Sequence, residues 1–167
     1  MAIDGKISTS ISLVHASAYD FGGRYAEIKQ ALDLLFESGT GNNQADLVFS
    51  DQRTLAASAS ENLDLNGTTL LDAFGTAIAM AKIKAIYLKA AAGNTNNVII
   101  GNVMNGIVGP FGAATHSILV KPGGVFLWAC PGTGETITAG TGDLLKIANS
   151  GGTTGVTYDL MLLGTSV

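Results

Sequence analysis

Four short apolar segments in the last third of the chain, 117–120 (SILV), 124–129 (GVFLWA), 143–150 (DLLKIANS) and 156–164 (VTYDLMLLG), alternate with glycine-rich turns. Runs of this length, rich in Val, Ile, Leu, Tyr and Trp and closed by Pro-Gly, Gly-Gly or Gly-Thr-Gly, predict strands of an antiparallel sheet packed face to face with another. Upstream, 45–50 and 61–65 read as further strands, the second with Leu63 and Leu65 inward and Asn62, Asp64 and Asn66 outward. The run 77–90 fits neither strict strand nor strict helix periodicity. Its alanines favour helix, whereas Ile83, Ile86 and Tyr87 favour strand. The hairpin-type loop 93–97 (GNTNN), leading into 98–101 (VIIG), decides for strand. The count comes to about eight strands, the number found in jelly-roll sandwiches.

The N-terminal quarter reads differently. Residues 6–14 alternate loosely and suit either a strand or an extended Ser/Thr-rich arm lying on a partner. From Tyr25 to Glu37 the apolar residues Ile28, Ala31, Leu32, Leu34, Leu35 and Phe36 recur at spacings of three and four, and 39–43 (GTGNN) supplies a glycine stop, which predicts a helix. A single helical turn is predicted over 68–74. The expected architecture is therefore mainly β: a jelly-roll-like antiparallel β-sandwich of about eight strands with one N-terminal helix. Residues 1–44 form the arm and helix, and residues 45–167 the sandwich, as one compact unit.

With 167 residues, 47% of them hydrophobic, the chain can bury a core without metals or disulfides. Charged residues make up 13%, about half the usual share, beside 22 glycines. Many tight turns and a surface partly covered by neighbours follow, so a homo-oligomer, trimer or dimer, is expected; an uncharged Thr/Ser/Asn-rich surface that stays solvated is the alternative. A net charge of −4, with no basic cluster longer than the Lys82/Lys84 pair, provides no footprint for nucleic acid. The single cysteine, Cys130, reads as a buried free thiol. There is no apolar leader at the N-terminus, and Lys82, Lys84 and Lys89 interrupt the longest apolar run, so neither a signal peptide nor a membrane span is expected. The chain is expected in a cytosol, or assembled there into something larger.

No reactive constellation emerges. Segment 131–136 (PGTGET) has the look of a phosphate-binding loop, but Glu135 stands where that loop needs lysine, and no helix follows; a turn between strands is expected. Asn62, Asp64, Asn66 and Gly67 match the opening of a calcium loop, yet Ala73 occupies the position of the closing glutamate, leaving the solvent face of a strand as the simpler reading. His15 and His116 show no metal-ligand spacing, and Ser117 sits in no nucleophile elbow. Tyr87, Trp128 and Tyr158 lie within apolar runs and read as core. No catalytic, cofactor-binding or metal-binding residue is assigned, no cofactor is expected, and the chain is read as not an enzyme.

Three stretches, 45–67 (ADLVFSDQRTLAASASENLDLNG), 83–101 (IKAIYLKAAAGNTNNVIIG) and 122–164 (PGGVFLWACPGTGETITAGTGDLLKIANSGGTTGVTYDLMLLG), together resemble small structural proteins of tailed-bacteriophage virions. The resemblance is to the single-jelly-roll cement or decoration type. It implies a β-sandwich that oligomerises and clamps the joints between major capsid protein subunits, located in the virion and assembled in the host cytoplasm. A tail-associated or receptor-binding module that holds host glycan is the alternative. That reading expects exposed aromatic residues near 106–111 or 131–141.

Overall fold

A computed structural model describes residues 3–18 and 20–167 of the chain. Among these residues every regular element is a strand, and the expectation of a mainly β protein holds. The first two strands, β1 (Gly5–Ser17) and β2 (Arg24–Ser38), pair antiparallel over 13 positions, from Gly5 opposite Phe36 to Ser17 opposite Arg24. The two-residue β3 (Gln44–Ala45) then adds in parallel to the end of β2.

The helix predicted over 25–37 is therefore wrong: this segment is β2. The reason lies in a coincidence of periods. Ala26, Ile28, Leu32, Leu34 and Phe36 are separated by multiples of two as well as by near-helical intervals, so one set of apolar residues serves either reading. The matching alternation in 7–13, where Ile7, Ile11 and Leu13 share a face with their partners on β2, offers a ladder of backbone hydrogen bonds that a lone helix lacks.

The remaining elements are β4 (Leu47–Leu55), β5 (Ser60–Asp64), β6 (Leu70–Leu71), β7 (Ala77–Ile78), β8 (Lys82–Ala90), β9 (Val98–Gly101), β10 (Ser117–Val120), β11 (Val125–Ala129), β12 (Glu135–Thr136), β13 (Leu144–Asn149) and β14 (Val156–Thr165). One sheet runs β11-β8-β14-β4, with β12 also on β8; the other runs β10-β9-β13-β5. Every pairing in both is antiparallel. The outermost strands in sequence, β4 and β14, are neighbours, as are β5 with β13, β8 with β11 and β9 with β10. The chain thus doubles back on itself like a folded ribbon.

Alternation fixes which side chains meet between the sheets. Ile86, Leu88, Leu160 and Leu162 project from the first sheet and Ile100, Leu145, Ile147 and Leu63 from the second, all at most 3% exposed. Tyr158 is fully buried and Trp128 packs against the core, as read from sequence, whereas Tyr87 lies half-buried outside the core cluster. The turn expected over 68–74 is instead the small β6–β7 ribbon. Asp72 Oδ1 accepts from the Phe74 and Thr76 amides, both at 2.8 Å, and so closes its tip without a helical hydrogen bond.

The irregular run 77–90 has a structural cause. Opposite β14, Leu163 pairs with Ala85 but Gly164 pairs with Ile83, leaving Lys84 as the extra residue of a β-bulge. Alternation before and after this point belongs to different registers.

Candidate interaction surface

The residues singled out for chemistry do not converge. His15 and His116 are both exposed, and the His116 ring nitrogen Nδ1 lies 3.1 Å from the Phe111 carbonyl oxygen. Asp64 Oδ1 accepts from the Asn66 amide and Asn66 Nδ2 donates to the Met80 carbonyl, so these two side chains serve a turn rather than an ion. Segment 131–136 is a turn entering β12. Gly134, at φ +69°, passes so close to the Ile83 carbonyl that a Cβ would stand 2.7 Å from its oxygen, while Glu135 accepts from the Gly109 amide. Cys130 is half-buried, not buried as expected, since it lies just past the end of β11, an edge strand of its sheet. No group of three or more His, Cys, Asp or Glu residues able to hold a metal occurs among the described residues.

One polar cluster ties the two sheets together. Glu61 of β5 accepts from the Tyr158 hydroxyl and from Arg53 Nη1, and Arg53 Nε reaches Asp51 Oδ2 at 3.0 Å while its guanidinium lies over the Phe49 ring. Burial, reinforced by the bond to Glu61, pushes the Tyr158 hydroxyl pKa far above its usual value. Each member is partnered within the cluster, which makes it a brace between layers.

Lys84 is the second unusual group. Only 1% exposed, its ammonium donates to the carbonyls of Gly41 (3.3 Å), Pro131 (3.4 Å) and Gly132. Burial holds its pKa below the ordinary lysine range. In the sequence Lys84 stands out only as half of the Lys82/Lys84 pair; at the bulge it is buried and fastens the loop after β2 to the loop after β11. Asn43 adds a backbone hydrogen bond to Pro131 at 2.8 Å. Lys84→Met is therefore expected to cost about 1–2 kcal/mol, because the Gly41 and Gly132 carbonyls lose their donor and the Pro131 carbonyl keeps only the Asn43 amide. Amide hydrogen exchange should quicken over 41–43, and unchanged exchange there would contradict this role.

What these anchors hold is an amphipathic arm. At ~3.3 Å per residue the paired strands β1 and β2 extend for roughly 40 Å. Among the described residues, the only strand that pairs with it is the short β3 at its base. Cross-strand partners share a face, and one face carries Ile7 with Leu34, Thr9 with Leu32, Ile11 with Gln30 and Leu13 with Ile28. Its base lies over the sandwich, where Phe36 is buried and Ile7 and Leu34 line a cleft with Leu127 and Ala129. Beside this, Phe36, Val48, Tyr87, Leu127, Met161 and Leu163 line an apolar groove of about 350 Å³ on the outer face of the first sheet. Leu32 lines the same cleft as Leu34 and is half exposed, and farther out Ile11, Leu13 and Ile28 are between 55% and 58% exposed. The opposite face is mostly polar, with Ser8, Ser10 and Ser12 and the ion pairs Lys6–Asp33 (2.8 Å) and Lys29–Glu27 (2.7 Å), although Val14, Tyr25 and Leu35 also emerge there. Phe21, in the connection 18–23, is fully exposed.

The sequence reading allowed 6–14 as a strand or an extended arm but missed its pairing, having assigned the apolar residues of 25–37 to a helix. The available signal was the two-residue alternation shared by 7–13 and 26–36 on either side of Gly22-Gly23. The loops 106–111 and 131–141 contain one aromatic residue, Phe111, and its half-buried ring stacks on Phe126 at 6.1 Å between centroids. Compared with protein-family models, curated proteins and solved structures, the chain matches none.

Proposed function

We propose that this chain is a structural protein of a tailed-phage virion, a decoration or cement protein that clamps major capsid protein subunits and joins the shell in the host cytoplasm. The observation that carries the reading is the arm: a ribbon with an apolar face, extending from the sandwich, suits gripping a neighbour. The topology adds support for a jelly roll. Numbered along the chain from β4 to β14 without the short β6, β7 and β12, the sandwich strands run 6-3-8-1 in one sheet and 5-4-7-2 in the other. First then lies beside eighth, second beside seventh, third beside sixth and fourth beside fifth, the arrangement of a rolled ribbon with two Greek keys, an architecture shared by viral capsid domains. A largely uncharged surface fits multivalent contacts whose strength adds over many copies.

The test is to mix the purified protein with empty shells of the phage whose genome encodes it. Sedimentation with the shells and a rise in their rupture temperature are expected. No binding to shells would end the proposal, and antibody label on the tail instead would favour the tail-associated alternative.

A further inference from the structure

We propose that the cleft between the leading half of β4 and the β6–β7 ribbon binds an extended, basic segment of a partner polypeptide by strand addition. β4 is the longest edge strand of the sandwich, nine residues against five or fewer in β5, β10 and β11, and among the described residues it pairs with β14 alone. An open edge of this length is a template for another strand unless charge, proline or a bulge blunts it. β4 guards only its second half. Asp51 and Arg53 stand there, whereas Leu47, Val48, Phe49 and Ser50 bring neither charge nor proline.

The unguarded half borders a cleft of about 610 Å³, within the range that holds a compact ligand. Ile3, Leu47, Val48 and Phe74 supply apolar lining, and Asp46 and Asp72 add two carboxylates. Both carboxylates are met by neutral donors: Asp46 accepts from the amide and hydroxyl of Ser166, and Asp72 from the Phe74 and Thr76 amides. The ion pairs among the described residues engage Glu27, Asp33, Asp51 and Glu61 instead, so no lysine or arginine stands at ion-pair distance from Asp46 or Asp72. Charge complementarity thus selects the occupant. An acidic or purely aliphatic segment would leave two carboxylates beside apolar surface without a counter-charge. One that alternates aliphatic residues with lysine or arginine satisfies the lining, the carboxylates and the main-chain groups of β4 together. Phe74, 77% exposed on the ribbon, is the wall that such a segment covers. The cleft is separate from the apolar face of the arm, and filling one does not require the other.

Fluorescence anisotropy with a labelled peptide that alternates valine with lysine tests this on the purified chain, with no shells present. The peptide is expected to bind, and its analogue with glutamate in place of lysine to bind at least about tenfold more weakly. Methylating backbone nitrogens of the peptide, which removes ladder donors and keeps every charge, should abolish binding. Asp46→Asn/Asp72→Asn keeps the Oδ1 acceptors for the Ser166, Phe74 and Thr76 amides, yet should weaken the lysine peptide by a similar factor. Should that variant fail to fold, Phe74→Lys, at an exposed position, sets a like charge over the cleft and should exclude the peptide. A lysine peptide that fails to bind at about 1 mM, binds no better than its glutamate analogue, or binds equally well when methylated would overturn the inference, as would folded variants with wild-type affinity.

Discussion

Leu88→Ala is expected to lower the midpoint of thermal unfolding by roughly 10 °C. Leu88 is fully buried at the middle of β8, paired with Phe126 on one side and Leu160 on the other. Truncation removes three carbon atoms from a site bounded by two sheets. Because both neighbouring strands are themselves held by ladders, the walls cannot close over the void. Such substitutions cost about 3 kcal/mol, within a range of 2–5. For a domain of this size each kcal/mol corresponds to about 2–4 °C. A shift below about 3 °C in calorimetry would mean that the two sheets do not enclose this residue as described.

The second large effect concerns the brace between the sheets. Glu61→Ala leaves the Tyr158 hydroxyl without its acceptor and removes one of the two carboxylates on Arg53, with Asp51 remaining. A loss of about 2–3 kcal/mol is expected, less than for a fully buried pair because Asp51 still holds the guanidinium and water reaches part of it. Alkaline titration examines the same contact. In the folded protein the Tyr158 proton is held well beyond the ordinary phenol value of 10.0, first by burial and then by Glu61. Its contribution is complete below pH 10 and is lost as pH rises above it, since the unfolded chain releases that proton first. Lys84, whose folded pKa is depressed, contributes the opposite slope below its ordinary 10.5. The comparison of wild type with Tyr158→Phe isolates the tyrosine: the variant should lose less stability above pH 10, and parallel curves would refute the assignment.

Much of the sandwich was legible because its strands are short, alternating and closed by glycine. The predicted 117–120, 124–129, 143–150 and 156–164 lie within one or two residues of β10, β11, β13 and β14. Their arrangement was not legible in the same way, since β4 meets β14 across more than a hundred residues and no local pattern records that pairing. The bulge at Lys84 blurred the alternation of 82–90, which the following hairpin loop alone marked as a strand, because one inserted residue reverses the face of every side chain beyond it. The arm was misread for a related reason. Leu32, Leu34 and Phe36 satisfy helical and extended spacing alike, and only the presence of β1 as a partner selects the strand. Exposure of its apolar face is a tertiary fact, which no count of hydrophobic residues along the chain reveals.

Binding to empty shells by wild type and Leu13→Asp/Ile28→Asp measures most directly whether the arm is the gripping element, as proposed. Both side chains are exposed, so the sandwich should melt unchanged in the variant. The prediction is that wild type sediments with shells and raises their rupture temperature while the variant does neither. A variant that binds and protects shells as well as wild type would contradict it.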